Sequence, residues 1–498
     1  MSSCARRSDS DPSAPAGGRE PLLKTSRQLA EILTNLSGMR VVLLGLGLFG
    51  GGEGAARFLA QKGAQVTVSD LKPAEHFAPV IERLSDLPIQ YQLGGHDLER
   101  VLKADLVVVN PAVPRTSSVV RACREAAIPL TSPMNMFVTL CPAPAAAVTG
   151  AVGKSTTTAM LGAMLSEGHQ GNVWVGGNIG VSLLPVVDKI SAADLVVLEM
   201  SSFQLEDTAC LPWSPHVAII TNITPNHLDR YETFEAYVEA KKSIIAFQSE
   251  TDAAVFNASD ATLRLWAYRE AKGKVLFFDP AAQDGPMVEG VNLRGGRLIW
   301  NSGGEPQVIC AREHISVPGA HNLANAMAAT AAARWLQVDV EPIRRALANF
   351  KALEHRLEKC GEPRGITFYN DSDSTTPEST VAALKSFDGP VTLIAGGYDK
   401  KLDLRPLAQM AAQRAKVLIT IGQTGPMIAQ WCGEAALQAG KTPVIREAGS
   451  LEEAVQAALE LSMPGSAVVF SPGCASYDMF RNFDDRGHHF KKLVAAAT

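Results

Sequence analysis

Val148-Thr149-Gly150-Ala151-Val152-Gly153-Lys154-Ser155-Thr156 joins an apolar strand, Ala145 to Val148, to an apolar-periodic helix running to about Leu165. A strand that ends in spaced glycines and opens a helix with Lys-Ser-Thr has the layout of a phosphate-binding loop. Glycines let successive backbone N–H groups converge on phosphate oxygens, a lysine neutralises the β and γ charges, and a hydroxyl ligates magnesium. Lys154 and Ser155 take those two roles, with Gly150, Ala151, Val152, Gly153 and Thr156 around the phosphates. Val148 stands where the usual pattern has glycine, which makes this loop a variant. The bland alternative is a plain strand-to-helix turn, and Gly-Lys-Ser-Thr at a helix start is a much rarer coincidence.

On either side of this loop, short β-branched runs alternate with helical stretches, the pattern of parallel sheets covered by helices. Strands are expected at Arg40 to Leu44, Gln65 to Ser69 and Leu106 to Val109, then at Leu195 to Leu198 and Val217 to Thr221. A third group follows at Ile366 to Tyr369, Val391 to Ile394, Val417 to Ile421 and Ala467 to Phe470. A chain of 498 residues is too long for one core. The expectation is three consecutive α/β domains over 39–140, 141–350 and 351–498: Rossmann-like, phosphate-loop ATPase and again Rossmann-like. Residues 1–38 are read as a disordered or partly helical extension, because the Ser-, Pro- and Gly-rich start buries too little surface to offset ordering.

Composition narrows the function classes. With 46 Lys and Arg against 51 Asp and Glu, the net charge of -5 offers no field for a polyanion or an acidic membrane. Nucleic acid and membrane are therefore not expected as partners. The eight cysteines, at 4, 123, 141, 210, 310, 360, 432 and 474, show no C-x-x-C spacing. No apolar stretch approaches the ~20 residues of a membrane span, and no apolar signal core opens the chain. A cytoplasmic location is expected by default.

Two further features carry chemistry. A magnesium nucleotide needs hard oxygen ligands beside its loop, and Glu199 closes the next apolar strand. Nearer the start, Gly45-Leu46-Gly47-Leu48-Phe49-Gly50 follows a strand and opens a helix, with Asp70 ending the next strand. That layout reads as a dinucleotide fingerprint. Any diphosphate ligand uses the same helix-end physics, and a glycine turn also serves packing alone.

The ordered phrases Thr149 to Thr158, Gly177-Asn178-Ile179-Gly180, Glu199 to Glu206, Asn222 through Arg230, Gly319 to Asn325, His355-Arg356, Asn370-Asp371-Ser372, Gly396-Gly397 with Lys400, and Ser471 to Ser476 together resemble the Mur ligases. These are the ATP-dependent amide-forming enzymes of peptidoglycan precursor assembly, and the similarity runs from about Arg40 to Phe490. Ser201 to Glu206 and Ser471 to Ser476 look like the members that add D-glutamate to UDP-N-acetylmuramoyl-L-alanine. The resemblance implies that the muramoyl-alanine carboxylate attacks the γ-phosphate of ATP, and that the glutamate amine displaces phosphate from the resulting acyl phosphate. It implies UDP-substrate contacts at Gly47, Leu48, Phe49, Asp70 and Asn178, with Asn178 also facing the phosphates. It places Lys154, His227, Lys241 and Lys400 in catalysis, and Asn322, Asn325, Arg356 and Asp371 on ATP. Ser155 and Glu199 would bind one magnesium and His227 a second, with Lys241 at the family's carbamylated lysine. Thr375, Lys400, Ser476 and Phe483 would receive the amino acid. The implied partners are UDP-N-acetylmuramoyl-L-alanine, D-glutamate and ATP, acting on a monomer.

The chain departs from that pattern at several points. Asp371-Ser372-Asp373-Ser374-Thr375-Thr376 stands where the glutamate-adding members usually read Asp-Ser-Lys-Ala-Thr-Asn. A charge reversal at Asp373 beside phosphates and a dicarboxylate calls for a compensating cation, and Lys401 is the nearby candidate. Asn226 replaces an acid before His227, and Ala151-Val152 replace Thr-Asn. These changes bear on the acceptor amino acid more than on ATP. The alternatives are another Mur or folylpolyglutamate-type ligase, an NAD-type protein using the turn at 45, or a nucleotide-binding regulator.

Overall fold

Apolar β-branched runs become strands with few exposed side chains, as in Arg40–Leu44, where only the first residue is exposed. The computed structural model describes residues 26–48, 50–224, 230–281 and 286–497. Phe49 and His227, named above for substrate and metal, lie outside the described residues, as do residues 1–25. Of the extension expected over 1–38, Ser26–Thr34 is an α-helix.

The first sheet is all parallel, in the order β3-β2-β1-β4-β5, from β1 (Arg40–Leu44), β2 (Gln65–Asp70), β3 (Ile89–Leu93), β4 (Leu106–Val109) and β5 (Leu130–Thr131). The strand order reverses between β1 and β4, where open α/β sheets leave a crevice for ligands. The glycine turn after β1 opens onto that crevice and leads into the helix Gly51–Gln61.

The second sheet takes β6 (Ala145–Thr149), β7 (Val173–Gly177), β8 (Leu195–Glu199), β9 (Val217–Ile220), β10 (Ala253–Asn257), β11 (Lys274–Asp279), β12 (Gly290–Arg294), β13 (Arg297–Asn301) and β14 (Gln307–Ala311). Its order is β14-β13-β12-β11-β10-β9-β6-β8-β7, with β12 to β14 antiparallel and the rest parallel. β6 lies between β8 and β9, which brings the ends of these three strands together at the phosphate loop. The core packs the helices Lys154–Gly168 and Ala320–Trp335 on this sheet through Met160, Leu161, Met164, Met327 and a run of buried alanines.

A third sheet orders β15 (Glu358–Gly361), β16 (Thr367–Asn370), β17 (Val391–Gly396), β18 (Ala415–Ile421), β19 (Val444–Glu447) and β20 (Ala467–Phe470) as β15-β16-β20-β17-β18-β19. Only β15 runs antiparallel. Three α/β layers follow one another along the chain, as expected.

By compactness the chain divides into two units. One runs to Cys141 and also takes Glu206–Pro212; the other holds Pro142–Leu205 and the rest, with both larger sheets. Within the first unit, Asp207 pairs with Arg115 and its carbonyl accepts from Asn135 Nδ2 at 3.1 Å.

Candidate active site

The phosphate loop is built by two glycines whose backbones a side chain would disturb. Gly153 has φ +86° and caps the helix Lys154–Gly168, and a Cβ there would land on Asn325 Oδ1. Gly150, at φ +148°, would press on Thr221 Oγ1. Residues just past β9 hold the loop from below. Asn222 Oδ1 accepts from the N–H groups of Ala151 (3.2 Å) and Val152 (3.0 Å), and the Thr221 hydroxyl donates to the Val152 carbonyl at 2.6 Å.

Two lysines and a glutamate converge on this loop. Lys154 Nζ donates to the Ala151 carbonyl at 3.0 Å, and burial lowers its pKa while Glu199 acts to raise it. Lys241, on the helix Phe234–Lys242, is only 2% exposed; its Nζ donates to the Gly150 carbonyl (2.9 Å) and to Thr149 Oγ1 (3.2 Å). Burial and the neighbouring Lys154 hold the Lys241 amine well below the ordinary lysine range. Glu199, at the end of β8, accepts from Asn178 Nδ2 at 2.8 Å through Oε1, while its buried Oε2 has no hydrogen-bond partner among the described residues. A buried anionic oxygen without a donor is costly unless a cation meets it, so Glu199 fits a magnesium ligand. Ser155 and Thr156 open the helix beside it, both partly buried.

Asn322 and Asn325, expected on ATP, are buried on the helix that packs against Lys154–Gly168. Asn325 Oδ1 accepts from the Thr157 hydroxyl at 3.2 Å, and Asn322 Nδ2 donates to the Pro318 carbonyl at 2.7 Å. In the first sheet's turn, Gly47 has φ +64° and Leu48 is exposed. Asp70 accepts from its own surroundings, from the Leu46 N–H at 2.9 Å and the Lys72 N–H at 3.0 Å.

In the third sheet's loops, Asp371 is buried and accepts from the Leu357 N–H (3.1 Å) and the hydroxyls of Ser374 (2.6 Å) and Ser471 (2.7 Å). Burial outweighs these donors and pushes its carboxyl up to about 6. Asp373 does have a compensating cation, but it is Arg356, with Nη2 2.7 Å from Asp373 Oδ2. Lys401, the expected partner, reaches Asp399 instead and stands 86% exposed. Lys401 is tied to the carboxylate two residues away, whereas the loop before β15 brings Arg356 to the Asp373 turn. Lys400 is exposed, in a depression with Tyr398, Thr424 and Cys474. Thr375 is half-buried, Ser476 is buried, and the Phe483 carbonyl accepts from the Ser372 hydroxyl at 2.8 Å.

The sequence reading missed Arg486. It is 1% exposed and donates to the Ser372 hydroxyl (3.1 Å) and carbonyl (2.9 Å) and to the carbonyls of Cys474 and Ala475 (both 3.1 Å). It stitches the Asp371–Ser374 turn to the loop after β20, and burial lowers its guanidinium to about 10. One arginine on an amphipathic helix reads as a surface cation, so no local signal singled it out. Thr221 and Asn222 were likewise absent from the expected site; an Asn closing an apolar strand beside a phosphate loop is the signal that marks them.

Family models match three consecutive segments: "Mur ligase MurD-like, N-terminal domain" over 39–132, "Mur ligase middle domain" over 148–333, and "Mur ligase, glutamate ligase domain" over 355–474. A curated relative from Roseiflexus sp. (strain RS-1), named UDP-N-acetylmuramoylalanine–D-glutamate ligase, is 41% identical over 467 residues, covering 93% of this chain and all of the relative. One of the same name from Symbiobacterium thermophilum is 38% identical over 92% of this chain and 98% of its own length. Among solved structures, the UDP-N-acetylmuramate-alanine ligase MurC of Thermotoga maritima superposes with a TM-score of 0.57 at 19% identity, over 92% of this chain and 100% of that one. A MurF ligase from Thermotoga maritima, solved in complex with ADP, gives 0.54 at 16% identity over 87% and 96%. At these identities the two structures speak for the fold alone.

Proposed function

The chain belongs to the Mur ligase family, and on that footing we propose that it joins D-glutamate to UDP-N-acetylmuramoyl-L-alanine at the expense of ATP. The observation that carries this reading is the convergence of Lys154, Lys241 and the free Glu199 oxygen on one glycine loop. A carboxylate repels nucleophiles and must first acquire a leaving group. Phosphorylation by ATP supplies one, and the amine of the acceptor then expels inorganic phosphate as the amide forms. Transfer of this kind asks the protein for clustered cations and positioning more than for covalent help.

Each residue has a part in that scheme. Lys154 and the N–H groups of the loop hold the triphosphate at the helix N-terminus. Ser155 and Glu199 would hold a magnesium ion, with His227 for a second; bound there, magnesium neutralises phosphate charge. Carbon dioxide added to the Lys241 amine would turn a cation into a carboxylate facing the same loop, and carbamylation requires the neutral amine that burial favours. Arg356 and Asp371 would contact the nucleotide, and Lys400, Thr375, Ser476 and Phe483 the incoming amino acid. The UDP moiety would take the turn at Gly47, Leu48 and Asp70. The nicotinamide reading of that turn leaves the phosphate loop at 150 unexplained, and the family matches over both segments support the ligase instead.

The test is a panel of acceptors incubated with UDP-N-acetylmuramoyl-L-alanine and MgATP, including both glutamate enantiomers. Phosphate release that depends on D-glutamate is expected. Release driven by L-glutamate, or by a basic or dipeptide acceptor instead, would move the chain to another ligase of the same reaction type.

A further inference from the structure

Arg356 lies in an unusual stretch of backbone. The residues on both sides of it, His355 and Leu357, have φ of +62° and +46°, in the left-handed region that side chains rarely adopt. Such a conformation persists only where the surroundings hold it, and here the Asp371–Asp373 turn does so. The Asp373 N–H donates to the His355 carbonyl at 3.1 Å, and the Leu357 N–H donates to Asp371 Oδ1 at 3.1 Å. The Arg356 N–H is itself bonded to the Leu353 carbonyl at 3.0 Å. The backbone is thus pinned, and only the half-exposed side chain reaches away from it.

That side chain pairs with Asp373 at 2.7 Å and stays 46% exposed, against 23% for the carboxylate. Both charges reach the phosphate-loop lysine, Arg356 acting to lower the Lys154 pKa and Asp373 to raise it. A guanidinium fork binds carboxylate and phosphate oxygens by the same bidentate chemistry. A half-exposed pair is cheap to open, since solvent screens both charges.

We propose that Asp373 is a positioning residue that sets nucleotide affinity by competing with a nucleotide phosphate for the Arg356 guanidinium. The proposal rests on the reading that the loop at 150 binds a nucleoside triphosphate. With the site empty, Asp373 neutralises Arg356 and holds it against the turn. When the phosphates arrive, Arg356 rotates to them and Asp373 is left to solvent. The carboxylate therefore weakens capture of the nucleotide and eases its release.

The experiment is calorimetric titration of the full chain with magnesium adenylyl imidodiphosphate, a non-hydrolysable triphosphate, and with MgADP. Asp373→Asn should bind the triphosphate about two- to fivefold more tightly than wild type, the range that opening an exposed ion pair supplies. Asp373→Glu, which keeps the charge, should bind like wild type. Arg356→Gln should bind more weakly, and adding Asp373→Asn to it should change affinity little. Unchanged or weaker binding by Asp373→Asn overturns the proposal. So does an equal gain in both backgrounds, which would mean simple removal of a negative charge rather than action through Arg356. Failure of the wild type to bind either nucleotide would overturn the parent reading as well, whereas wild-type binding without the Asp373→Asn gain sinks this proposal alone.

Discussion

Lys241 and Lys242 are adjacent on one helix and have opposite fates. Lys242 reaches Glu239 at 2.8 Å in a surface pair that raises its pKa. Lys241 is turned inward, over the Tyr237 ring at 5.0 Å, and bonded to the phosphate loop. Desolvation favours its neutral amine, the form that reacts with carbon dioxide. Lys241→Ala should lower ligase turnover about 10- to 100-fold, the usual loss when a group that orients a metal site is removed, and formate or acetate should restore part of it. With 13C-bicarbonate, a carbamate resonance is expected in the wild type and not in Lys241→Arg. Wild-type turnover in Lys241→Ala would refute the role. Composition and helical spacing give no means of choosing between two neighbouring lysines, because burial is a property of the packed helix. The resemblance of the surrounding phrases pointed to Lys241. For Arg486 there was neither phrase nor spacing, and only its buried hydrogen bonds reveal it.

At the scale of elements, the phosphate loop depends on the joint between β6 and the helix Lys154–Gly168. Gly153 makes that joint with a left-handed backbone, which costs an L-residue roughly 1–2 kcal/mol, and its missing Cβ makes room for Asn325. Asn325 is itself held by Thr157 and by Asn322 at 3.4 Å, so it has little freedom to yield. Gly153→Ala should therefore lose about 1–3 kcal/mol of unfolding free energy in a urea titration, and its affinity for MgADP should fall with it. Stability equal to wild type would contradict this account of the loop. Most elements around the joint were legible beforehand, because strands buried on both faces read as continuous apolar runs. The helix proved slightly longer than expected, ending at Gly168, and β2, β8 and β17 each extend past their expected ends. The antiparallel extension β12 to β14 was not among the expected strands. Its first turn is the Gly295–Gly296 pair, with φ of +51° and +70°, a two-residue hairpin signal flanked by strands too short and mixed to stand out.

At the scale of the whole molecule, the proposed function assigns the glycine turn at 45 to a nucleotide-linked substrate and the phosphate loop at 150 to the nucleotide that activates it. Three α/β layers in series could be read from the alternation of strand and helix, and three sheets are present. The grouping of Glu206–Pro212 with the first unit could not be read, since it rests on Asp207 meeting Arg115 far earlier in the chain. No described helix is long and apolar enough to cross a membrane. In the proposed reaction, phosphate moves from ATP on the loop at 150 onto the carboxylate of a UDP-linked muramoyl-alanine. Its most direct test is to supply that substrate with an 18O-labelled carboxylate, together with D-glutamate and MgATP, and to weigh the phosphate released. The phosphate should carry an 18O atom from the carboxylate, because the oxygen bridging carbon and phosphorus leaves with phosphorus when the amine attacks. Amide product accompanied by unlabelled phosphate would contradict it.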